Sequence, residues 1–185
     1  MKVSPTVLIV PGLRDTVAQH WQTLLAERLR CVVSVPPMGR EDLSCAARVA
    51  AIEAAAQAID GPIVAVAHSA GCIMLAHWAQ VSRRPLWAAL LAAPPDFETP
   101  MPEGYPTLDA LHAGGWLPVP RKPLPFRSIV AASSNDPLGS FERVSALARD
   151  WDSELLPLGD VGHLNPASGY GDWPQAQDLI RRLGG

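Results

Sequence analysis

Short apolar runs alternate with longer stretches of helical periodicity along nearly the whole chain, and few folds accommodate that alternation. Val7–Val10, Cys31–Val35, Ile63–Ala67, Leu86–Ala92, Arg127–Ala132 and Glu154–Leu158 read as buried strands, each with Pro, Gly or Ser at or beside one end. Ala18–Leu29, Asp42–Ile59, Gly71–Gln80, Leu138–Arg149 and Trp173–Leu183 carry apolar residues at helical spacing. Parallel strands need crossover connections, and right-handed helical crossovers cover both faces of the sheet they join. The expectation is an α/β protein: a three-layer sandwich around a six-stranded, mostly parallel sheet, with functional loops at the carboxyl ends of the strands. A chain of 185 residues suits a single domain spanning 1–185 and buries about 70% of its unfolded surface.

One segment interrupts the pattern. Residues 94–125 contain nine prolines among few aliphatics, so they read as a structured surface excursion after the fourth strand, too short for a full cap domain. Proline restricts backbone freedom, which makes this excursion a fixed wall; Phe97, Tyr105, Trp116 and Leu117 are candidates to line a pocket, or equally to anchor the excursion to the core. A site without a full cap is expected to favour short acyl groups, from acetate to butyrate.

The stretch IVAVAHSAGCIMLAHWA, residues 63–79, passes from a strand into a helix through His68 and Ser69. Ala67-His68-Ser69-Ala70-Gly71 matches the nucleophile-elbow pattern G-x-S-x-G except at Ala67. So sharp a turn strains the serine backbone and demands small residues two before and two after it. The helix that follows aims free N–H groups at the serine oxygen. Taken alone, the pentapeptide is as compatible with a helix N-cap serine.

A serine hydroxyl needs a base to remove its proton. Of the five histidines, His163 lies in the loop LGDVGHLN after the last strand, at the edge from which a base reaches the elbow. His68 reads as a packing or pocket-wall residue, His77 as structural, and His20 and His112 as surface or rim residues. Asp136, in VAASSNDPLGS beyond the fifth strand, is the candidate acid that fixes the tautomer of His163, and a turn role before Pro137 is compatible with that. Asp160, three residues before His163, competes, although so short a loop suits it to local hydrogen bonds. The N–H of Ala70 and that of Leu13, in the turn Pro11-Gly12-Leu13-Arg14, are candidates for an oxyanion hole.

VLIVPGL followed by HWQ, VAVAHSAGC, PFRSIVAASSNDP and GHLNPASGYGDWP together resemble the small serine hydrolases of the retinoblastoma-binding protein 9 and YdeN type, over nearly the whole chain. The resemblance implies an α/β-hydrolase fold with Ser69 as nucleophile, Asp136 as acid and His163 as base. Two positions depart from the usual pattern: Ala67 replaces a glycine, and Arg14 stands where a small residue is common, positioned to narrow the oxyanion loop or to greet an anionic substrate. The implied activity is cleavage of a small ester, thioester or activated amide through an acyl-enzyme, with no metal or organic cofactor. A protein-binding module on the same scaffold is the alternative, although Leu43-Ser44-Cys45-Ala46-Ala47 lacks the glutamate of the L-x-C-x-E signature; an acyltransferase is a third.

Composition narrows the partners. A net charge of −3 gives no basic footprint for nucleic acid. The apolar run before Pro11 is too short for a signal peptide or membrane span. The odd cysteine count, Cys31, Cys45 and Cys72, reads as small hydrophobes, not disulfides or metal ligands, and suits a reducing cytoplasm.

Overall fold

The computed structural model describes residues 4–14 and 16–184. Its elements are β1 (Thr6–Val10), α1 (Trp21–Arg28), β2 (Val32–Ser34), α2 (Cys45–Gln57), β3 (Ile63–His68), α3 (Ala70–Val81), β4 (Ala88–Ala92), α4 (Leu108–Ala113), β5 (Arg127–Ala132), α5 (Phe141–Asp150), β6 (Glu154–Pro157) and α6 (Gln175–Gly184), with a 3-10 turn at Pro166–Ser168. The strands lie in the order β2-β1-β3-β4-β5-β6, and every pairing among the described residues is parallel, beyond the mostly parallel sheet expected. Since β1 has β2 on one side and β3 on the other, the winding reverses there, and a crevice opens at the carboxyl ends of β1 and β3.

Alternate residues along each strand feed two cores. Val7, Ile9, Val66, Leu90 and Ile129 pack with Trp21, Leu25, Trp173 and Leu179 around α1 and α6. Leu8, Val10, Leu91 and Val130 pack with Ile52, Ile73, Trp78 and Leu147 from α2, α3 and α5. With both faces covered, β3 and β4 are buried at every position and therefore read in sequence as unbroken apolar runs. Cys45 and Cys72 are buried, Cys31 is exposed, and all three are free thiols. No helix among the described residues is long and apolar enough to cross a membrane.

α1, α2 and α5 each start three residues later than periodicity predicts, because caps and not hydrophobicity set their ends. The Ser44 side chain accepts from the N–H of Ala47 to open α2, and that of Ser140 accepts from Arg143 to open α5. At α1 the cap is the ring of His20, accepting from Gln22.

The excursion holds α4, which escaped sequence reading because six residues between prolines leave no periodicity to detect. It is pinned at several points. Trp116, fully buried, donates from Nε1 to the Leu43 carbonyl at 2.7 Å, and Trp151 donates to the Pro120 carbonyl at 2.8 Å. Asp96 and Glu98 bind Arg143, and Glu98 and Asp150 bind Arg121. Trp116→Phe keeps most of the packing but strands the Leu43 carbonyl; it is expected to lower stability by about 1–3 kcal/mol, read as a reduced urea midpoint at unchanged slope.

Candidate active site

Ser69 joins β3 to α3 with φ 56° and ψ −132°, a left-handed conformation that a non-glycine residue adopts only when its surroundings over-determine it. Its N–H donates to the Ala92 carbonyl at 2.9 Å. It stands at the N-cap position, but its side chain makes no capping bond, which leaves Oγ available. Gly71 lets α3 approach β1: a Cβ there would lie 2.5 Å from the Val10 oxygen and 2.7 Å from that of Pro11. Ala67, by contrast, sits inside the sheet paired with Val10 and Leu91, where a methyl is accommodated in place of the usual glycine.

Ser69, His163 and Asp136 come together as sequence reasoning expects. His163 Nε2 is 2.8 Å from Ser69 Oγ, and Nδ1 is 2.8 Å from Asp136 Oδ2. The second carboxylate oxygen accepts from the Leu138 N–H at 2.9 Å. A carboxylate only accepts, so the Nδ1 proton faces Asp136 and the Nε2 lone pair faces the serine hydroxyl. Two contacts tie the loops carrying them: Ser134 N–H to the Gly159 carbonyl at 2.8 Å, and Gly162 N–H to Asn135 Oδ1 at 2.7 Å. Asp160 is exposed and makes no side-chain hydrogen bond among the described residues, so the expected local bonds are absent.

The H-W-Q motif turns out to frame this relay, a role the sequence did not disclose. His68, buried as expected of a wall residue, donates from Nε2 to the His163 carbonyl at 2.9 Å, fixing the backbone that carries the relay imidazole. His20, expected at the surface or rim, is half-buried and borders the cavity; its ring centroid lies 4.7 Å from that of His68 at a tilt of 59°, the His68 ring lies 5.0 Å from His163, and Trp21 meets His68 edge-on. Gln22 donates to the carbonyls of Val10 and Val66, stapling β1 to β3 beneath the crevice. The one available signal was the position of these three residues at a helix start after the β1 loop. His77 is structural, bonding the Trp116 carbonyl through Nε2, and His112 is exposed.

A cavity of about 520 Å³ opens beside Ser69, bordered by Leu13, Arg14, His68 and Ala70 and walled by Phe97 and Tyr105 from the excursion. Trp116, a sequence candidate for the pocket, does not border it. It stands behind Phe97, edge-on at 5.4 Å, and serves with Leu117 as an anchor to the core. Ala70 is the first residue of α3, so its N–H has no acceptor within the helix. Gly12 brings the β1 loop against the serine, where a Cβ would lie 3.1 Å from Ser69 Cβ. No set of three His, Cys, Asp or Glu side chains is gathered for a metal ion among the described residues.

Burial, then the neighbouring His163, pushes the His20 imidazole down to about 4. Burial, then His163 and His20, drives His68 well below the usual histidine range, against the opposing bond to the His163 carbonyl. Both rings are therefore neutral when folded and take up protons more readily once unfolded. Their contribution to stability is full above the ordinary value of 6.5 and is lost as pH falls below it, for His20 through about 4. The urea midpoint is expected to drop between about pH 7 and about pH 4, and the drop to shrink in the His20→Gln, His68→Gln double variant. An identical pH slope in both proteins would count against this.

Residues 7–182 match the family model described as serine hydrolase. No curated protein matches the chain. Among solved structures, a putative YdeN-like hydrolase from Pectobacterium atrosepticum is 27% identical, with a TM-score of 0.80 over 98% of this chain and 89% of that one. The ydeN gene product from B. subtilis is 18% identical, with a TM-score of 0.76 over 97% and 98%. The RedJ thioesterase of the prodiginine biosynthetic pathway in Streptomyces coelicolor is 18% identical, with a TM-score of 0.61 over 97% and 89%, a likeness of fold. With the family model covering all but a few residues at either end and the same α/β-hydrolase sheet in its neighbours, YdeN-like hydrolases among them, the chain belongs to the serine hydrolases.

Proposed function

We propose that the chain cleaves a small-molecule ester, thioester or activated amide through an acyl-enzyme, with Ser69 as nucleophile, His163 as base and Asp136 as the acid that orients it. The observation that carries this reading is the continuous relay, Asp136 to His163 to Ser69 with both contacts at 2.8 Å, at the side of a cavity able to hold a substrate. As Ser69 Oγ attacks the acyl carbon, its proton passes to His163 Nε2, and Asp136 stabilises the imidazolium that forms. The developing oxyanion is met by the N–H groups of Ala70 and Leu13. The tetrahedral intermediate collapses as His163 returns the proton to the leaving group, and a water activated by the same imidazole then releases the acid.

A binding module would have no use for a strained serine backbone, and the cysteine of the segment nearest to a pocket-protein signature, Cys45, is 3% exposed in the first turn of α2. An acyltransferase differs only in its acceptor, and acyl transfer to added alcohols or amines in competition with water separates the two.

The cavity also revises the chain-length expectation. Phe97, Met101 and Tyr105 wall more space than acetate or butyrate fills, and each methylene buried there contributes about 0.8 kcal/mol. On p-nitrophenyl esters kcat/KM should climb from acetate at least through hexanoate; a maximum between acetate and butyrate would restore the short-acyl reading.

A fluorophosphonate probe should label the protein at Ser69, and Ser69→Ala should not label; undiminished labelling of that variant would overturn the proposal. Asp136→Asn should slow ester cleavage by about 10⁴-fold through the wrong His163 tautomer. Asp160→Asn should have little effect, and the reverse ranking would move the acid to the β6 loop.

A further inference from the structure

The charge at the mouth of the cavity is one-sided. Among the described residues, the formally charged side chains bordering it are Arg14 and Arg40, and no carboxylate does. Both guanidiniums converge on one turn of the excursion. Arg40 Nη2 donates to the Gly104 carbonyl at 2.6 Å, and Arg14 lies over the ring of the next residue, Tyr105, with Cζ 5.1 Å from its centroid. Neither forms a salt bridge among the described residues, in contrast to Arg121 and Arg143 at the base of the same excursion. Glu41, Asp42 and Glu103 are near in sequence but do not border the cavity, and Asp42 Oδ1 is occupied by the Ser44 N–H.

Two permanent cations held against consecutive residues repel one another unless an anion lies between them, and this pair borders a cavity with no other formally charged side chain among the described residues, in a chain of net charge −3. Each anchorage uses one N–H or one face of the guanidinium, so most donors of both forks remain free. The two forks are also held in place before a ligand arrives, which lowers the ordering cost of binding. The same cavity is also bordered by Leu13, Leu43, Phe97 and Met101 together with the ring of Tyr105, which suit a hydrocarbon spacer.

We infer that the substrate carries an anionic group, a carboxylate or phosphate, that Arg14 and Arg40 hold at the cavity mouth while an apolar spacer brings the scissile carbonyl to Ser69. The inference rests on the acyl-enzyme reading above and names its substrate class: acyl compounds with a remote negative charge, on either the acyl or the leaving-group side. A remote anchor of this kind positions the carbonyl without touching the reacting atoms, so its energy is available for orientation.

Matched substrate pairs test it. Mono-p-nitrophenyl adipate against p-nitrophenyl hexanoate places the charge on the acyl side. 4-(Hexanoyloxy)benzoate against its methyl ester places it on the leaving group. For one pair, kcat/KM at low salt should favour the anion by about three- to tenfold, the range for exposed, screened charges, and the preference should fade toward about 0.5 M salt. In the Arg14→Gln, Arg40→Gln double variant the ratio should fall to about one; taking the ratio within each protein cancels any general loss of activity. A ratio at or below one for both pairs, or one unchanged by the double substitution, overturns the inference. The same four compounds titrated into Ser69→Ala protein give the preference as a ratio of Kd values without turnover. Failure of wild-type protein to cleave any of them would therefore strike the acyl-enzyme reading, while the Kd ratio still decides the anion site.

Discussion

Much of the molecule is organised to keep Ser69 in a backbone conformation that it would not adopt in a free chain. A φ of 56° at a residue with a side chain costs on the order of 1–3 kcal/mol and persists only where the surroundings outweigh it. Here they do so from three directions. The strand before Ser69 is interior to the sheet and buried at all positions, and α3 after it is apolar nearly all round, with Ala70 through Ala76 buried. Gly71 lets the first turn of that helix lie against the carbonyls ending β1, so the elbow cannot relax outward without breaking the packing of α3.

The second constraint is the topological reversal between β1 and β3. It brings the Pro11–Gly12 turn and the elbow side by side, and it leaves strand-end carbonyls at the crevice floor that need donors. Gln22 supplies two of these from a single amide, while its neighbours His20 and Trp21 press on His68, which holds the His163 backbone. Three consecutive residues at the start of α1 thus connect the sheet, the elbow and the distant His163 loop.

The sheet and the grouping of Ser69, His163 and Asp136 were legible in the sequence for physical reasons. Strands covered on both faces leave unbroken apolar runs, and the elbow imposes small residues at fixed spacing. Ser69, Asp136 and His163 each follow a strand at the same edge of the sheet, so chain order alone brings them to one place. What was not legible depends on tertiary contact. Helix starts were missed at α1, α2 and α5 because a capping side chain, and not periodicity, decides them. Trp116 was a fair pocket candidate by type, yet its indole N–H found a buried carbonyl partner at Leu43, which turns the ring toward the core. The work of His68 and Gln22 is hydrogen bonding to main-chain carbonyls, which no side-chain pattern encodes.

At the base of the excursion, Asp96 and Glu98 meet Arg143 in the first turn of α5, while Arg121 binds Asp150 at its last residue as well as Glu98. Both ends of the excursion are thereby tied to opposite ends of one helix, α5, which follows the Asp136 turn. The wall of the pocket and the loop bearing the carboxylate consequently share a mount. The wall is therefore not a freely exchangeable part: a graft of residues 94–125 alone would arrive without its sockets, and one that carried them would extend through α5 and bring the Asp136 loop along. A segment that kept these ion pairs intact would run from the end of β4 to the end of α5, joining the cavity wall to the loop that bears Asp136.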